Sequence, residues 1–404
     1  MDLNMQLNGL RNHSFCIYGA GIVSVSAYMA VKTLYQNKPL FFLVTDPEDG
    51  QTAADLTPQE IDGIEVKYLS QWQRELQSGI HSQSVPEYYL IATPALYHEA
   101  IRHSLHLTEG AQIADSQMIF LTGERENELM ELYYSQLPDH TTVRDLLEKT
   151  AVQRKDASNL PVQVFQAKSH MDHSLQNVND VRSIQGQLYH WAYRQPSYIQ
   201  PVQAGAALTD RVIAGLRDDE GDNISRKNCN YCELTVTYYA WKHCTAAYKG
   251  ICHYRRIFDI SDTQMRMLLQ REQEWDVILP YPSVHDPDIS TQHLRYVKEA
   301  DWQGMLQALS ETAPEYLRAY EKYIAGNGRF FYNFNMLIAK AEVFDDYCDF
   351  LFRVLERTEE MVTPKEAERA DRFAGYLGEN LTTLYFLKNR DCLKIVNTGK
   401  FWLT

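Results

Sequence analysis

Short apolar runs alternate with amphipathic stretches through the amino-terminal third of the chain. The apolar runs lie at residues 14–18, 40–44, 64–68 and 88–92, with less regular ones at 113 and 118–121. Residues 22–34, which follow the first run, carry apolar side chains at helical spacing. Buried strands that alternate with helices predict a parallel, doubly wound sheet.

A polar stretch at 135–161 separates this part from the rest of the chain. It predicts a helix at 142–152 and a linker at 151–161, and therefore two domains, residues 1–150 and 162–404. In the second domain, strand-like runs at 162–167, 248–252, 275–279 and 332–339 occur with helical stretches at 233–243, 344–355 and 372–387. The predicted fold class is α/β, a doubly wound sheet followed by a mixed α/β domain.

Composition and charge narrow the possible functions. The 404 residues are 45% hydrophobic and 23% charged, as in an ordinary globular protein. A formal net charge of -14 excludes a general binder of nucleic acid or anionic lipid. The first residues lack a secretory apolar segment, and no apolar run reaches membrane-spanning length. With seven cysteines, this pattern predicts a reduced, cytoplasmic protein.

A G-x-G turn follows the first predicted strand. Gly19 and Gly21 would let backbone N–H groups approach a phosphate at the start of the next helix. Asp46 ends the second strand, where an acidic side chain would meet a ribose hydroxyl. Ser24 replaces the third glycine of the fingerprint, and any tight strand–helix turn needs glycine. Nucleotide binding and a purely structural turn therefore both remain open.

The densest group of polar side chains lies between residues 198 and 258, flanked by apolar segments. It comprises Asp218, Asp219, Asp222, Asn223, Glu233, His253, Arg255 and Arg256. Burying such charges is costly unless they face each other, a ligand or water. This stretch predicts the lining of a cleft for a polar, anionic molecule. Glu233 is also placed to help cap the helix that follows it.

The first domain resembles the small Rossmann-like domain that accompanies many bacterial polysaccharide-biosynthesis enzymes. The similar motifs are IYGAG at 17–21, D-G-I-x-V at 62–66 and IATP at 91–94. The resemblance implies recognition of a nucleotide or a sugar nucleotide.

The second domain resembles a bacterial family of capsule, exopolysaccharide and O-antigen biosynthesis proteins, formerly a domain of unknown function. The motifs, in family order, are PVQAGAAL (201–208), LRDDEGDNIS (216–225), NYCELTVTYYAWKH (230–243), YKGICHYRRIF (248–258), WDVILP (275–280), YNFNMLIA (332–339) and FAGYLGENL (373–381). The resemblance implies a GT-A-like glycosyltransferase, with galactofuranosyl transfer from a UDP-sugar as the role of one member. The family's opening strand usually ends in a T-H-K-like triplet, whereas this chain has Lys168-Ser169-His170.

The same resemblance implies a set of donor-binding residues. They are Lys168, His170, Gln203, Asn223, His253, Arg255, Arg256 and Asn335. Many GT-A enzymes neutralise the donor diphosphate with a metal ion held by an Asp-x-Asp motif after a central strand. Here the run at 248–252 ends in His-Tyr-Arg-Arg, and a guanidinium binds phosphate oxygens without a metal. We expect Arg255 or Arg256 to replace the ion in part, with manganese or magnesium dependence left open.

Several alternatives accompany these assignments. His253 is a candidate phosphate or metal ligand, and the arginine pair could instead brace the acidic loop at 218–222. Asp218, Asp219 and Asp222 are candidates for sugar binding or for the general base, or they form a solvated turn.

Two further groups have alternatives of their own. Glu379 is a candidate base, although pairing with Arg372 is the favoured interpretation. Cys229-x-x-Cys232 is a weaker candidate for zinc because the second ligand pair is irregular.

Together these patterns predict a glycosyltransferase that moves a sugar, galactofuranose, from a UDP-sugar donor to a surface-polysaccharide acceptor. Acceptors of this kind are often lipid-linked, so peripheral contact with a membrane is compatible with the prediction. Two alternatives remain: an NAD-dependent sugar oxidoreductase and a non-catalytic sugar-nucleotide-binding protein. The Tyr28-x-x-x-Lys32 pair lies too close to the G-x-G turn to resemble a reductase's catalytic pair.

Overall fold

The chain forms two compact units in the computed structural model. The model describes residues 3–47, 57–78, 85–121, 123–149, 160–172, 181–184, 187–190, 195–362 and 370–403. The first unit comprises residues 1–136, 182–189 and 283–287, and the second comprises 137–181, 190–282 and 288–404. The chain therefore contributes to the first unit from three separate stretches. Of the predicted linker at 151–161, only residues 160 and 161 are described.

The first unit is built around a mainly parallel sheet. Its helices in the described ranges are α1 (Leu3–Gly9), α2 (Ile22–Tyr35), α3 (Leu69–Ser78), α4 (His98–His106) and α5 (Gly123–Tyr134). Its strands are β1 (Phe15–Tyr18), β2 (Phe42–Val44), β3 (Glu60–Ile61), β4 (Ile64–Tyr68), β5 (Tyr88–Ile91) and β6 (Met118–Phe120). The strand order is β3-β4-β2-β1-β5-β6, and only β3 runs antiparallel to its neighbour.

Strand β1 shows why the apolar runs predict strands. All four of its side chains are buried, because a central parallel strand is covered on both faces. Residue 113 is also buried but lies outside the strands, just before β6. Burial of Ile113 comes from packing against the sheet rather than from membership of it.

Beyond residue 136 the chain alternates between strands and helices. The helices are α6 (Val143–Glu148), α7 (Asn228–Tyr231), α8 (Leu234–His243), α9 (Asp262–Leu269), α10 (Glu299–Thr312), α11 (Leu317–Tyr323), α12 (Ala341–Met361) and α13 (Phe373–Asn389). The strands are β7 (Val162–Lys168), β8 (Val181–Ile184), β9 (Gln187–His190), β10 (Ile199–Gln203), β11 (Leu216–Arg217), β12 (Tyr248–Cys252), β13 (Arg256–Phe258), β14 (Val277–Pro280), β15 (Ser283–Val284), β16 (Phe330–Phe331), β17 (Leu337–Lys340), β18 (Ile395–Thr398) and β19 (Lys400–Trp402).

A seven-stranded mixed sheet forms the centre of the second unit. Its order is β11-β10-β7-β12-β17-β14-β18, in which β17 alone runs antiparallel to its neighbours. Alternate residues of β7 enter different apolar clusters: Phe165 joins the one that contains α8, α12 and α13, and Val164 joins the one that contains α6 and α9. The predicted α/β fold class is confirmed.

Two predicted elements differ from the structure. The helix expected at 142–152 is α6, which lies in the second unit because Val143 and Leu146 pack into its core beside β7. The strand expected at 332–339 begins only at Leu337, because Phe334 and Asn335 have left-handed φ angles of 75° and 49°. A left-handed residue cannot continue a strand ladder.

Gly250 allows the central strands to approach closely. A Cβ atom there would lie 2.7 Å from the Leu337 carbonyl oxygen and 2.9 Å from Val164 Cγ2. We expect Gly250→Ala to destabilise the second unit by about 1–3 kcal/mol through overpacking. Urea unfolding measures this, with Gly123→Ala as the control because a Cβ at Gly123 has no neighbour within 4 Å. Equal unfolding midpoints would contradict the packing described for β12.

Candidate active site

Most of the candidate side chains of the second unit gather at one edge of its sheet. Lys168 ends β7, Gln203 ends β10, and His253 directly follows β12. Because β17 runs in the opposite direction, Asn335, two residues before β17, lies at the same edge. The carboxyl ends of parallel strands are the usual position of ligand sites in open α/β sheets.

Two carboxyl groups, the buried Glu233 and the half-buried Glu379, form the core of this edge. Glu233, which precedes α8, accepts a hydrogen bond from Asn335 Nδ2 at 2.7 Å. Glu379, in α13, accepts one from the backbone N–H of Phe334 at 2.9 Å. Burial raises the pKa of Glu233 to about 7, and burial together with the Glu233 charge raises the pKa of Glu379 to about 8. Both carboxyl groups therefore change protonation state near neutral pH.

Strained backbone holds this carboxyl pair. Phe334 and Asn335 are non-glycine residues with left-handed φ angles, which are uncommon and concentrate at functional sites. Asn335 is fully buried, and Nδ2 also donates to the Gly375 carbonyl at 3.2 Å. Its Oδ1 accepts from Thr382 Oγ1 at 3.1 Å. The Asn335 amide is fixed on both sides, so it orients the Glu233 carboxyl group.

His253 is a neutral imidazole in this site. Arg256 Nη1 lies 3.1 Å from His253 Nδ1, and a guanidinium only donates, so Nδ1 accepts and Nε2 carries the proton. That nitrogen lies 3.6 Å from Glu233 Oε2. Burial, then the charges of Arg256 and Arg372, lower the pKa of His253 to about 3. The contact between His253 and Glu233 is therefore not an ion pair at neutral pH.

Three cationic side chains accompany the carboxyl pair. Arg255 Nε and Nη2 bind Asp172 Oδ1 at 2.8 and 2.7 Å. Lys168 Nζ donates to the Tyr254 carbonyl at 3.4 Å, and burial lowers its pKa. Arg256 lies over the Phe334 ring, 3.9 Å from its centre. These cations place positive charge at the same sheet edge as the carboxyl pair.

The interpretation that the arginine pair braces the acidic loop needs correction. Arg217 holds that loop through two bonds to Asp219, at 3.0 and 2.8 Å, while Arg255 binds Asp172. The favoured pairing of Glu379 with Arg372 is also wrong. Within the described ranges, Arg372 forms no hydrogen bond or ion pair through its side chain, and Glu379 binds the Phe334 backbone instead.

Asp218 has a structural position. It is fully buried, and its two oxygens accept from the Gly205 and Ala206 backbone N–H groups and from Ser225 Oγ, at 2.8, 3.0 and 2.6 Å. A carboxylate whose oxygens are occupied in this way does not fit the predicted role in catalysis. It joins the Gly205 turn to the acidic loop.

We expect Asp218→Asn to unfold the second unit more readily. The amide replaces one acceptor by a donor that faces N–H and O–H groups, and the charge-assisted bonds are lost. The expected loss in the free energy of unfolding is about 3 kcal/mol. Thermal or urea unfolding measures it, with the exposed Asp349→Asn on α12 as the control. A loss equal to that of the control would contradict the structural role.

The other acidic-loop candidates are held within the loop. Asp219 pairs with Arg217, and this partnership lowers the pKa of Asp219. Asp222 is exposed, with Oδ1 accepting from Tyr238 O–H at 3.2 Å. Asn223 donates to the Asp219 and Gly221 carbonyls and accepts from Ser225 N. This agrees with a structured turn, and the structure does not bring these three side chains to the carboxyl pair.

Two predicted donor-binding residues have other neighbours. Gln203 is fully buried, donates to the Arg211 carbonyl at 2.7 Å and accepts from Ile213 N at 3.0 Å. It therefore orders the segment after β10 rather than facing a ligand. His170 follows β7, and its buried Nδ1 has no hydrogen-bond partner in the described part of the chain. His170 thus places a buried ring nitrogen without a described hydrogen-bond partner two residues after the end of β7.

An open cavity of about 730 Å³ lies at the ends of β10 and β11. It is lined by residues 206–210 together with Arg217, Asp219, Asn223, Ile224, Arg226 and Lys227. Lys227 is paired with Glu359, and Arg217 with Asp219, whereas the exposed Arg226 has no side-chain partner among the described residues. The volume of the cavity is in the range of small-molecule binding sites.

The donor set does not fit a metal ion held by protein ligands alone. Across the described ranges, no group of three or more His, Cys, Asp or Glu side chains is arranged so that it could hold a metal ion. Cys229 is exposed and Cys232 is a free thiol whose pKa burial raises, so the Cys-x-x-Cys pair is not gathered into a cluster.

The nucleotide-binding candidates of the first unit have partners of their own. Gly19 has φ 120°, and a Cβ there would lie 2.2 Å from Ser24 Oγ, so the turn needs glycine. Gly21 precedes α2, and Ser24 Oγ donates to the Ala92 carbonyl at 2.7 Å. Asp46 accepts from the backbone N–H of Ser70 at 2.9 Å, at the start of α3. Asp46 thus serves the start of a helix, and nucleotide binding here stays a prediction.

Glu233 and Arg372 appear in the sequence analysis only as a cleft-lining or capping residue and as a pairing partner, not among the catalytic or donor-binding candidates. The signal for Glu233 was a single carboxylate between Cys232 and the apolar start of α8, where burial is costly without a purpose. Its side chain does not cap the helix, contrary to expectation. Arg372 precedes an apolar helix and gave no comparable signal.

No helix within the described ranges combines the length and the apolar character that a membrane crossing requires.

Comparison with known proteins gives a family. No curated protein matches the chain. Among solved structures, the apo structure of WbbM, described as a bifunctional glycosyltransferase, matches with 23% identity and a TM-score of 0.49 over 60% of this chain. The match covers 45% of the WbbM chain, less than half of its length. A profile described as "Domain of unknown function (DUF4422)" matches residues 187–390, which is half of the chain. The protein therefore belongs to the DUF4422 family.

Proposed function

We propose that the protein is a glycosyltransferase that moves a sugar, galactofuranose, from a UDP-sugar donor to a surface-polysaccharide acceptor, lipid-linked and met by peripheral membrane contact. The observation that carries the proposal is the arrangement at the carboxyl edge of the seven-stranded sheet. A carboxyl pair with raised pKa values, Glu233 and Glu379, lies beside several cations. Sugar transfer from a nucleotide diphosphate needs both, a proton acceptor and positive charge for the leaving group.

The cations and the adjacent cavity suit the donor. Lys168 ends β7, Arg255 follows the neighbouring strand β12 by three residues, and the 730 Å³ cavity lies at the ends of β10 and β11, next to β7. We place the diphosphate over the cations and the nucleoside toward the cavity. In the free protein the Arg255 guanidinium is paired with Asp172. When the donor binds, its phosphates replace Asp172 as the partner of this guanidinium.

The carboxyl pair suits the acceptor. An acceptor hydroxyl oxygen attacks the anomeric carbon, and the bond from that carbon to the donor phosphate oxygen breaks, with its electron pair leaving on UDP. The hydroxyl proton passes to the Glu379 carboxylate, which Phe334 N orients. Glu233, held by Asn335, raises the proton affinity of Glu379 through its charge. A base with a pKa near neutral is efficient in this step.

Calorimetric titration with UDP and with NAD tests the proposal. We expect UDP to bind and NAD not to bind. Tyr28 and Lys32, the pair weighed for a reductase, both donate to Asp62 at 2.5 Å, and these bonds occupy them. NAD binding without any response to UDP would contradict the proposal and favour an oxidoreductase. UDP binding without turnover of a UDP-sugar would favour a non-catalytic binding protein.

A further inference from the structure

An exposed pair of stacked tyrosines lies beside the carboxyl pair. The rings of Tyr296 and Tyr376 are 4.7 Å apart at an interplanar angle of 14°. Tyr376 is half-buried, whereas Tyr296 is 46% exposed and Leu294 is 56% exposed. One face of Tyr296 thus packs on Tyr376, and nearly half of the residue's surface is exposed to solvent.

Tight anchors on both sides hold Tyr296 in this exposed position. His293 stacks on Trp302 with ring centres 3.8 Å apart, and Val297 is buried in the core. The backbone N–H groups of Tyr296 and Val297 both donate to the His293 carbonyl. Lys298 pairs with Asp371, next to the start of α13, at 3.3 Å. The segment is therefore ordered, and its apolar side chains are exposed because the fold places them there.

Helix geometry makes this tyrosine pair continuous with the active site. Tyr376 lies three residues before Glu379, a spacing that puts these two on one side of α13, and Arg372 directly precedes that helix with a left-handed φ angle of 61°. The backbone N–H of Tyr376 donates to the Arg372 carbonyl at 3.2 Å. The Gly375 carbonyl, one residue earlier, accepts from Asn335, which holds Glu233.

We propose that Tyr296, stacked on Tyr376, is the acceptor subsite, where a saccharide ring of the acceptor packs on the exposed face of Tyr296. This rests on the proposed function and adds that the acceptor is recognised through a sugar ring. One face of a hexose ring carries C–H groups that pack on an aromatic face, and its hydroxyls remain free for polar neighbours. The exposed Arg295, adjacent to Tyr296 in the chain, is such a neighbour.

The size of the patch favours a sugar over a lipid chain. The exposed apolar side chains here are Leu294 and Tyr296, and Arg295 and Thr291 beside them are polar and exposed. A lipid chain would need a longer apolar groove than these two side chains provide. A single sugar ring matches the area of one tyrosine face.

Saturation-transfer NMR on the full chain, with methyl β-D-galactofuranoside and methyl β-D-galactopyranoside as probes, tests the subsite. We expect transfer to ring C–H protons, and a loss of probe affinity of about tenfold in Tyr296→Ala. Tyr296→Phe keeps the stacking face and should keep the affinity. Tyr97→Ala, at a tyrosine of the first unit that is 52% exposed, is the matched control. UDP affinity should be equal in the wild type and in Tyr296→Ala.

Three results would overturn the subsite: no saturation transfer to either probe in a protein that binds UDP, equal probe affinity in Tyr296→Ala and wild type, or a loss of UDP affinity in Tyr296→Ala as large as the loss of probe affinity. The third result would mean that the stacked tyrosines bind the donor rather than the acceptor. Probe binding that depends on Tyr296 in a protein that does not bind UDP would support the subsite and count against the proposed donor alone.

Discussion

Glu379→Gln is expected to lower sugar transfer by about 10²- to 10⁴-fold, the usual contribution of a positioned general base. The glutamine keeps an oxygen that accepts from Phe334 N, so the geometry of α13 is preserved. The wild-type rate should rise with pH through the range of about 7 to about 8 where the carboxyl pair loses its proton. His253 does not contribute to the pH dependence of the rate in this range, because its pKa is lowered to about 3.

The same substitution has a distinctive effect on stability. The folded protein holds the Glu379 proton more tightly than the unfolded chain, since its pKa is raised from 4.5 to about 8. This contribution to stability is complete below pH 4.5 and is lost as the pH rises to about 8. Glu379→Gln removes that loss, so its free energy of unfolding should gain on the wild type across this window.

Rates at saturating substrate and urea unfolding at several pH values check both effects. Glu360→Gln, at an exposed residue of α12 paired with Arg357, is the matched control for both measurements. A variant that transfers sugar at the wild-type rate would exclude Glu379 as the base. A variant that loses activity and also becomes less stable as the pH rises would point to a structural role.

Arg255→Ala should weaken UDP binding by about 10- to 100-fold, the value of a charge-assisted hydrogen bond to an ionised group. Asp172→Asn should act in the opposite direction and tighten UDP binding several-fold, because Asp172 competes with phosphate for the guanidinium. Titration calorimetry measures both, and raising the salt concentration should reduce both effects.

The control for Arg255 is Arg353→Ala on α12, where an exposed arginine pairs with Asp349. UDP affinity in that variant should equal the wild-type value. Weaker UDP binding in Asp172→Asn would mean that Asp172 orients Arg255 for the phosphate rather than competing with it. Unchanged affinity in Arg255→Ala would remove Arg255 from the donor site.

Much of the fold was predictable because buried strands are visible as apolar runs. Strands β4 and β12 begin and end at the predicted residues, and α8 and α13 differ from prediction by no more than a few residues. Helix α12 runs from Ala341 to Met361, whereas the prediction covered only 344–355. The prediction was too short because the ends of the helix carry more polar residues than its middle. The predicted start of a strand at residue 332 was wrong, because the left-handed backbone at Phe334 and Asn335 cannot be recognised from a pattern of apolar residues.

The site was predictable only where a motif follows a strand. His253 and Arg255 lie directly after a buried strand, so their place at the sheet edge follows from the pattern. The contact of Glu233 with Asn335 joins residues 102 positions apart and depends on tertiary packing, which no local pattern encodes. Asp218 is buried and joins two loops, but the sequence around it does not distinguish it from an exposed aspartate in a turn.

Sugar transfer at the carboxyl edge of the seven-stranded sheet can be followed by time-resolved NMR of UDP-galactofuranose with the full chain, alone and with methyl β-D-galactofuranoside. We expect UDP to appear together with a new glycosidic product, at a rate that Glu379→Gln lowers about 10²-fold or more. A donor that stays intact with bound protein and acceptor present, or a product rate unchanged in Glu379→Gln, would contradict it.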